Sequence, residues 1–309
     1  MMKKIKGITV LVTIVALNTV AILANTAGEA AAFTRFTLSP KAQSVGAAYS
    51  AEASGAEAIA WNPAAVGESN ETECSIATAK YIESHYLRGD ALFHIADWPI
   101  ALGYLRADFS AVQHSTKETG QRVALLSSSS GYLGQRLSVG TAAKLSTKLA
   151  LGAALTYNRE DIGANYAAGI GLNVGLLARY NTLSWALSVD NAIEPRLSWN
   201  TSTQSNGHIA RRYKVGLSKQ YVGRIRQNIE LQFRENRPVS LHAGLRVYPV
   251  SKLSVAFGVD DGDLTVGTGL HLPAIQTYVS WKQKDFDAQE DSFQVAMNIN
   301  FINKSRGDK

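Results

Sequence analysis

One cysteine, Cys74, stands in a chain of 309 residues, so no intrachain disulfide can staple the fold. Stability must come from backbone hydrogen bonds and burial. Cys74 also lies far beyond the N-terminal leader, which excludes the lipid-anchored cysteine of a cleaved lipoprotein. Six histidines, His85, His94, His114, His208, His242 and His271, are scattered without metal-ligand spacing. The acidic cluster Asp260, Asp261 and Asp263 lacks the further ligands of a calcium loop and reads as a turn. No Gly-x-Ser-x-Gly elbow accompanies His94, His242 or His271, so Ser-His chemistry has no local support. Neither metal, cofactor nor catalysis is expected. Charged residues make up only 18% of the chain, and no Pro-rich or Ser-rich linker divides it. The net charge of +6 owes much to the leader and to Lys304, Arg306 and Lys309. Without a basic helix or a clustered aromatic platform, that charge does not indicate nucleic-acid binding.

Long apolar runs are absent beyond the start of the chain. Residues 1–32 read as a secretory leader: Lys3, Lys4 and Lys6 precede the apolar run Ile8–Ala24, and small residues follow up to Ala32. Cleavage after Ala30 or Ala32 fits. A retained helical anchor is the alternative, at the short limit for crossing a bilayer and weakened by Thr9, Thr13, Asn18 and Thr19.

What the chain has instead is alternation. In 291–301, Phe293, Val295, Met297, Ile299 and Phe301 point one way and Ser292, Gln294, Ala296, Asn298 and Asn300 the other. The period of two recurs at 72–81, 85–96, 98–107, 119–130, 132–144, 149–158, 166–178, 182–190, 212–221, 225–235, 239–248, 252–260, 263–271 and 274–283. That makes fifteen candidates. Closed single-chain barrels have even strand numbers, and because 72–81 is the least regular segment, fourteen is the preferred count. In 225–235, Ile225, Ile229, Leu231 and Phe233 oppose Arg226, Asn228, Glu230, Gln232 and Arg234, a face too charged for lipid and expected to see water. Arg88 and Asp90, and His242 with Arg246, repeat the pattern. In 166–178 the inward residues are Gly169, Gly171, Asn173 and Gly175, which leaves room for something inside. Asp261-Gly262 between two apolar runs predicts a tight hairpin. Tyr157, Tyr221, Tyr248, Tyr278 and Trp281 fall near strand ends, where interfacial girdles belong. The expected fold is an all-β, antiparallel, up-and-down transmembrane barrel. A soluble secreted β-sandwich is the alternative, weighed down by so many strands in one unbroken domain.

Residues 33–71 differ: Ala-rich, with Gly46, Gly55 and Gly67, and without alternation. The stretch Ser39–Tyr49 and the motif Trp61-Asn62-Pro63-Ala64 resemble the N-terminal signature of FadL-like outer-membrane proteins, most closely the PorV/PorQ branch. Here Ala47-Ala48 stand where that family often has glycine, and Phe301 is followed by Ile302–Lys309 where it commonly ends. The resemblance implies a segment 33–71 folded inward as a hatch, a barrel over 72–301 and a tail over 302–309. On the residues alone, Asn62-Pro63 makes a rigid corner. Phe293 and Phe301 would carry the signal for the barrel assembly machinery. Two functions follow from the resemblance. One is an outer-membrane scaffold or shuttle in type IX protein secretion, in contact with secretion components and cargo. The other is a FadL-like channel for small hydrophobic molecules. The connections 108–118, 159–165 and 191–211 are polar, although Trp185, Ile193, Leu197 and Trp199 offer apolar lining, and this balance favours protein contact.

Overall fold

The computed structural model describes residues 30–36, 38–81, 84–117, 123–201, 207–221, 223–235, 237–283 and 291–301. Of the expected leader 1–32, residues 1–29 lie outside these, as does the expected tail 302–309. Among the described residues no helix is long and apolar enough to cross a membrane.

Among the described residues, sixteen strands follow four short helical turns: β1 (Thr72–Tyr81), β2 (Ser84–Ile95), β3 (Trp98–Lys117), β4 (Val123–Ser146), β5 (Leu149–Ile162), β6 (Asn165–Tyr180), β7 (Leu183–Ile193), β8 (Arg196–Trp199), β9 (Gly207–His208), β10 (Arg212–Tyr221), β11 (Ile225–Arg234), β12 (Ser240–Val250), β13 (Leu253–Asp260), β14 (Asp263–His271), β15 (Ile275–Lys282) and β16 (Ser292–Phe301). Each pairs antiparallel with its neighbour, β7 pairs with β10 across the short β8–β9 excursion, and β1 pairs with β16 from Thr72↔Phe301 to Lys80↔Phe293. The result is a closed barrel of fourteen strands. Closure leaves no unpaired edge, the condition for crossing lipid with strands. It also sets aside the soluble sandwich.

The count of fourteen is reached differently from the sequence expectation. The described part of segment 119–130, from Val123 on, and segment 132–144 are one strand, β4, because Gly131 runs through in extended form while β3 pairs alongside, with two register shifts near the top. Segment 72–81 is a full strand. Its pattern is weak because Cys74, Thr78 and Lys80 share the outward face with Ile76.

Thr72 and Phe301 mark one end of the barrel, here called the base, together with the tight turns. The Ala96-Asp97 turn there has both residues at positive φ, 47° and 68°, the type I′ geometry that matches strand twist. Asp261-Gly262 makes the same kind of turn at the opposite end, the rim, with φ 53° and 102°. The β3–β4 ribbon rises above the rim beyond Phe109↔Tyr132, past the last pairs of β2 and β5.

Alternation is obeyed with consistent sense. Ile76, Leu87, Leu137, Leu155, Ile170, Leu187, Leu245, Phe257 and Val295 point out and are exposed, while their neighbours are buried inside. An apolar belt on nearly every strand needs lipid to cover it. Exposed aromatics border it at two levels: Trp98, Tyr180, Trp185, Tyr221 and Phe301 towards the base, and Tyr157, Tyr166, Tyr213, Phe233 and Phe293 towards the rim. Tyr278 does not belong to a girdle. It is 4% exposed, faces the lumen, and its ring stands edge-on to His271, which also packs on Tyr248. Leu155 sits mid-strand in the belt, so Leu155→Arg should destabilise the folded barrel by about 2–4 kcal/mol. Equilibrium unfolding from lipid vesicles measures this, with the outward but rim-level Tyr166→Arg expected to cost less.

Candidate functional site: the occupied lumen and its rim

The chain from Leu38 to Ser69 packs against the inward faces of the strands. Two of its turns are built alike. Ser39 accepts a hydrogen bond from the Ala42 backbone N–H through Oγ (3.2 Å), capping Pro40–Gln43, and Asn62 accepts one from the Ala64 N–H through Oδ1 (3.1 Å), capping Pro63–Glu68. In both, proline takes the first helical position, where its missing N–H is not needed. Turns this short are not stable in isolation. Their alanines, among them Ala42, Ala53, Ala56, Ala58, Ala64 and Ala65, are fully buried against the wall.

Charged wall residues hold the segment. Glu52 receives Arg246 Nη1 (2.5 Å), Arg226 Nη1 (3.3 Å) and Asn228 Nδ2. Burial alone would push its pKa up, but Arg246 and then Arg226 outweigh this and hold the carboxyl below the ordinary value. Glu57 accepts from Ser39 Oγ (2.7 Å) and from the Tyr49 hydroxyl (2.8 Å) and lies 3.5 Å from Lys41 Nζ. Burial, with the Glu57 charge adding to it, drives the Tyr49 phenol well above its ordinary pKa. Arg88 pairs with Asp90 through two contacts of 2.8 and 3.0 Å and donates to the Glu57 carbonyl (2.9 Å). Glu230 accepts the Ser50 N–H (2.9 Å), and Arg179 donates to the Ala53 carbonyl (3.1 Å).

Glycines in the wall make niches for this backbone. A Cβ on Gly175 would lie 2.0 Å from Asn62 Oδ1, and one on Gly152 2.3 Å from the Ala64 nitrogen. Gly244 and Gly258 leave the same room for Val45 and Gly46. Gly46 and Ala47 both have positive φ, 66° and 61°. At Ala47 the left-handed backbone carries a strain of about 1 kcal/mol that glycine would relieve.

These contacts bring together most of the residues singled out from sequence. Asn62 is fully buried, and its Nδ2 donates to the Ser50 and Leu176 carbonyls (3.3 and 3.2 Å). Trp61 stands edge-on to Tyr49 at 5.6 Å, and its carbonyl accepts from Lys214 Nζ (2.6 Å). Pro63 and Ala64 sit over Gly152. Arg88, Asp90, Glu230 and Arg246 face inward, but not to water, whereas Arg226 faces inward and stays partly exposed. Arg246 is 1% exposed and Glu230 is 0% exposed. The expectation of a wet face is corrected because residues 38–69 replace the solvent with their own carbonyls and carboxylates. Arg234 also faces inward, but nearer the rim and away from this network. Phe293 and Phe301 face outward on β16, opposite Lys80 and Thr72.

At the rim, sequence reading missed an apolar nest. Phe36 stacks on Tyr86 (4.4 Å between ring centres), Tyr86 meets Phe109 edge-on (5.9 Å), Phe109 meets Tyr132 (5.2 Å) and Tyr132 meets Phe33 (6.4 Å). Leu38, Leu197 and Ile209 are buried in the same cluster. Phe109 was assigned to a polar loop because β3 was expected to stop at 107. Leu197 and Trp199 do turn inward, since β7 bulges at Asn191 (φ 56°) and the chain then passes over Gly171 and Gly169. Trp185 and Ile193 face outward and line nothing inside. Beside the nest Arg35 packs near Arg234, Arg237 and Arg212, and burial together with those like charges pulls it down to about 10. Among the described residues no group of His, Cys, Asp and Glu is placed to hold a metal ion.

No family model matches the chain, and no curated protein matches it in sequence. Solved structures do resemble its fold. The Pseudomonas putida toluene transporter TodX superposes with a TM-score of 0.60 at 11% identity, covering 84% of this chain and 96% of its own. A Pseudomonas aeruginosa FadL homologue superposes with a TM-score of 0.60 at 9% identity, covering 86% and 99%. The fold of this chain is therefore similar to that of these two barrels. The finer likeness to the PorV/PorQ branch finds no counterpart among these structures.

Glu52→Gln leaves Arg246 buried without its countercharge, so it should destabilise the packed state by about 3–5 kcal/mol. Denaturant unfolding of the detergent-solubilised barrel reads this directly. Gly175→Ala should dislodge the Asn62 corner and open residues 38–69 to protease, while heat-modifiable migration of the barrel stays unchanged.

Proposed function

We propose that this protein is a non-enzymatic outer-membrane channel of the FadL-like kind, taking up small hydrophobic molecules at the rim, with segment 33–71 as a hatch that must shift for them to pass. The observation that carries this reading is the nest of Phe33, Phe36, Tyr86, Phe109 and Tyr132, an apolar surface placed inside the rim and partly built by the N-terminal segment itself. A ligand entering there meets aromatic faces first and then the start of the segment it has to displace. The barrel fold shared with a toluene transporter supports the same reading. Residues 1–32 act as a cleaved leader, the rim with its longer connections faces outward from the cell, and the apolar belt contacts outer-membrane lipid. Phe301 at the end of β16 serves the assembly machinery. A role in type IX secretion rests on the motif Trp61-Asn62-Pro63-Ala64 alone, and the polarity of the rim connections no longer favours it once Phe109 and Leu197 are seen to turn inward.

Two measurements test the proposal. A fluorescent apolar probe should bind the solubilised full chain saturably, and Phe109→Ser together with Phe33→Ser should weaken it roughly tenfold or more, the effect of losing one or two buried aromatic contacts. No probe binding, with secreted proteins co-purifying instead, would favour the scaffold. Phe301→Ala should lower the yield of assembled, heat-modifiable barrel, whereas deletion of Ile302–Lys309 should leave it intact.

A further inference from the structure

Next to the aromatic nest, cations outnumber the carboxylates that face them. Asp190 on β7 is occupied by Arg212 (2.6 Å) and by Lys214 (3.0 Å). Arg136 and Arg234 stand in the same electrostatic neighbourhood, each within range of Arg212. Of the other acids near the rim, Glu235 acts on Arg211, and Glu160 and Glu194 are engaged elsewhere. Glu160 accepts the Tyr132 hydroxyl at 2.6 Å, and Glu194 lies against Arg211 (3.8 Å).

The strand register makes this excess deliberate in form. Arg212 and Arg234 lie directly opposite each other on β10 and β11, both facing inward. Like charges in that position work against the sheet. Among the described residues the Arg234 guanidinium has no hydrogen-bond or ion-pair partner. Arg136 uses only Nε, which donates to Asn158 Oδ1 (2.6 Å), and the rest of its fork is unspent. Asn158 is 0% exposed, yet its Nδ2 has no acceptor, and Thr156 Oγ1, two residues along the same inward face of β5, is likewise unpartnered. A buried amide donor without an acceptor is a costly arrangement unless something else supplies one.

We infer that this arc is a binding site for a phosphate-class oxyanion, held by the guanidinium forks of Arg136 and Arg234 and by Asn158 Nδ2, while Arg212, whose fork is on Asp190, contributes its charge from β10. A tetrahedral dianion suits the arc better than a single halide, because it offers several acceptor lone pairs to planar donors and answers more than one cationic charge. The site goes beyond the passage of hydrophobic molecules and does not require it. Two sources present the same chemistry at the rim of an outer-membrane barrel: the phosphate headgroup of a neighbouring lipid and a soluble phosphoester.

The test uses the full chain folded in a zwitterionic detergent without phosphate. Inorganic phosphate is titrated calorimetrically at low salt, and binding to vesicles of phosphatidylcholine is compared with binding to vesicles doped with phosphatidic acid. Saturable binding of either probe is expected. Competition of inorganic phosphate against the doped vesicles points to a soluble source, and tight vesicle binding that phosphate does not compete points to the lipid headgroup. Arg234→Gln should weaken the bound probe about tenfold or more, the usual effect of losing a charge-assisted contact, while raising thermal stability because the opposed Arg212 is relieved. Arg136→Lys, which keeps the charge but not the fork, should also weaken it. Absence of saturable binding for both probes overturns the site. So does affinity unchanged in Arg234→Gln and Arg136→Lys, or a loss matched by Lys144→Gln at the base.

Discussion

Buried charge is the constraint on which the rest of this structure depends. A barrel whose outside must be apolar for lipid carries its polar residues inward, and once the lumen is occupied those residues lose water. Each then needs a partner of the opposite sign or a hydrogen-bonding group, since an unpaired buried charge costs several kcal/mol. Glu52 against Arg246 and Arg226, and Glu57 with Lys41, Tyr49 and Ser39, meet that need from the segment's side. Arg88 and Asp90 meet it from the wall's side. The arrangement specifies register: a shift of one residue along the segment would strand several charges at once.

Small residues make the arrangement possible. Gly152, Gly175, Gly244 and Gly258 let segment backbone approach wall backbone closely, while Ala101, Ala142, Ala154 and Ala186 keep the remaining wall shallow. Such a contact combines close-packed backbone with a few strong ion pairs and has little large apolar side-chain interlock. A packed state of that kind can be tight and still be released by competing for a few polar anchors. At the rim the balance reverses, with aromatic rings on one side and the opposed guanidinium groups of Arg212 and Arg234 on the other.

How much of this was legible in the sequence varies by element. The alternation in β11, β12 and β16 names both faces residue by residue, because a strand's period of two is set by local geometry. The Asp261-Gly262 hairpin is legible for the same reason. The upper part of β3 and β4 was not, since its polar stretch reads as loop until cross-strand pairing supplies the reason to extend. The inward turn of Tyr278 was missed because an aromatic near a strand end looks the same whichever face it occupies. The role of Glu52 was missed entirely: a lone glutamate in an Ala-rich stretch carries no signal until Arg246, 194 positions away, is brought to it.

The sequence by itself therefore determined the strands, their faces, the closed barrel they imply and the distinct character of residues 33–71, all of which follow from short-range periodicity and composition. Only the tertiary structure decided that Arg88, Glu230 and Arg246 meet protein instead of water, that Phe109 and Leu197 line the rim, and that Arg212 faces Arg234. Those are properties of long-range register around a closed circuit of fourteen strands, and no window of neighbouring residues contains the distances that set them.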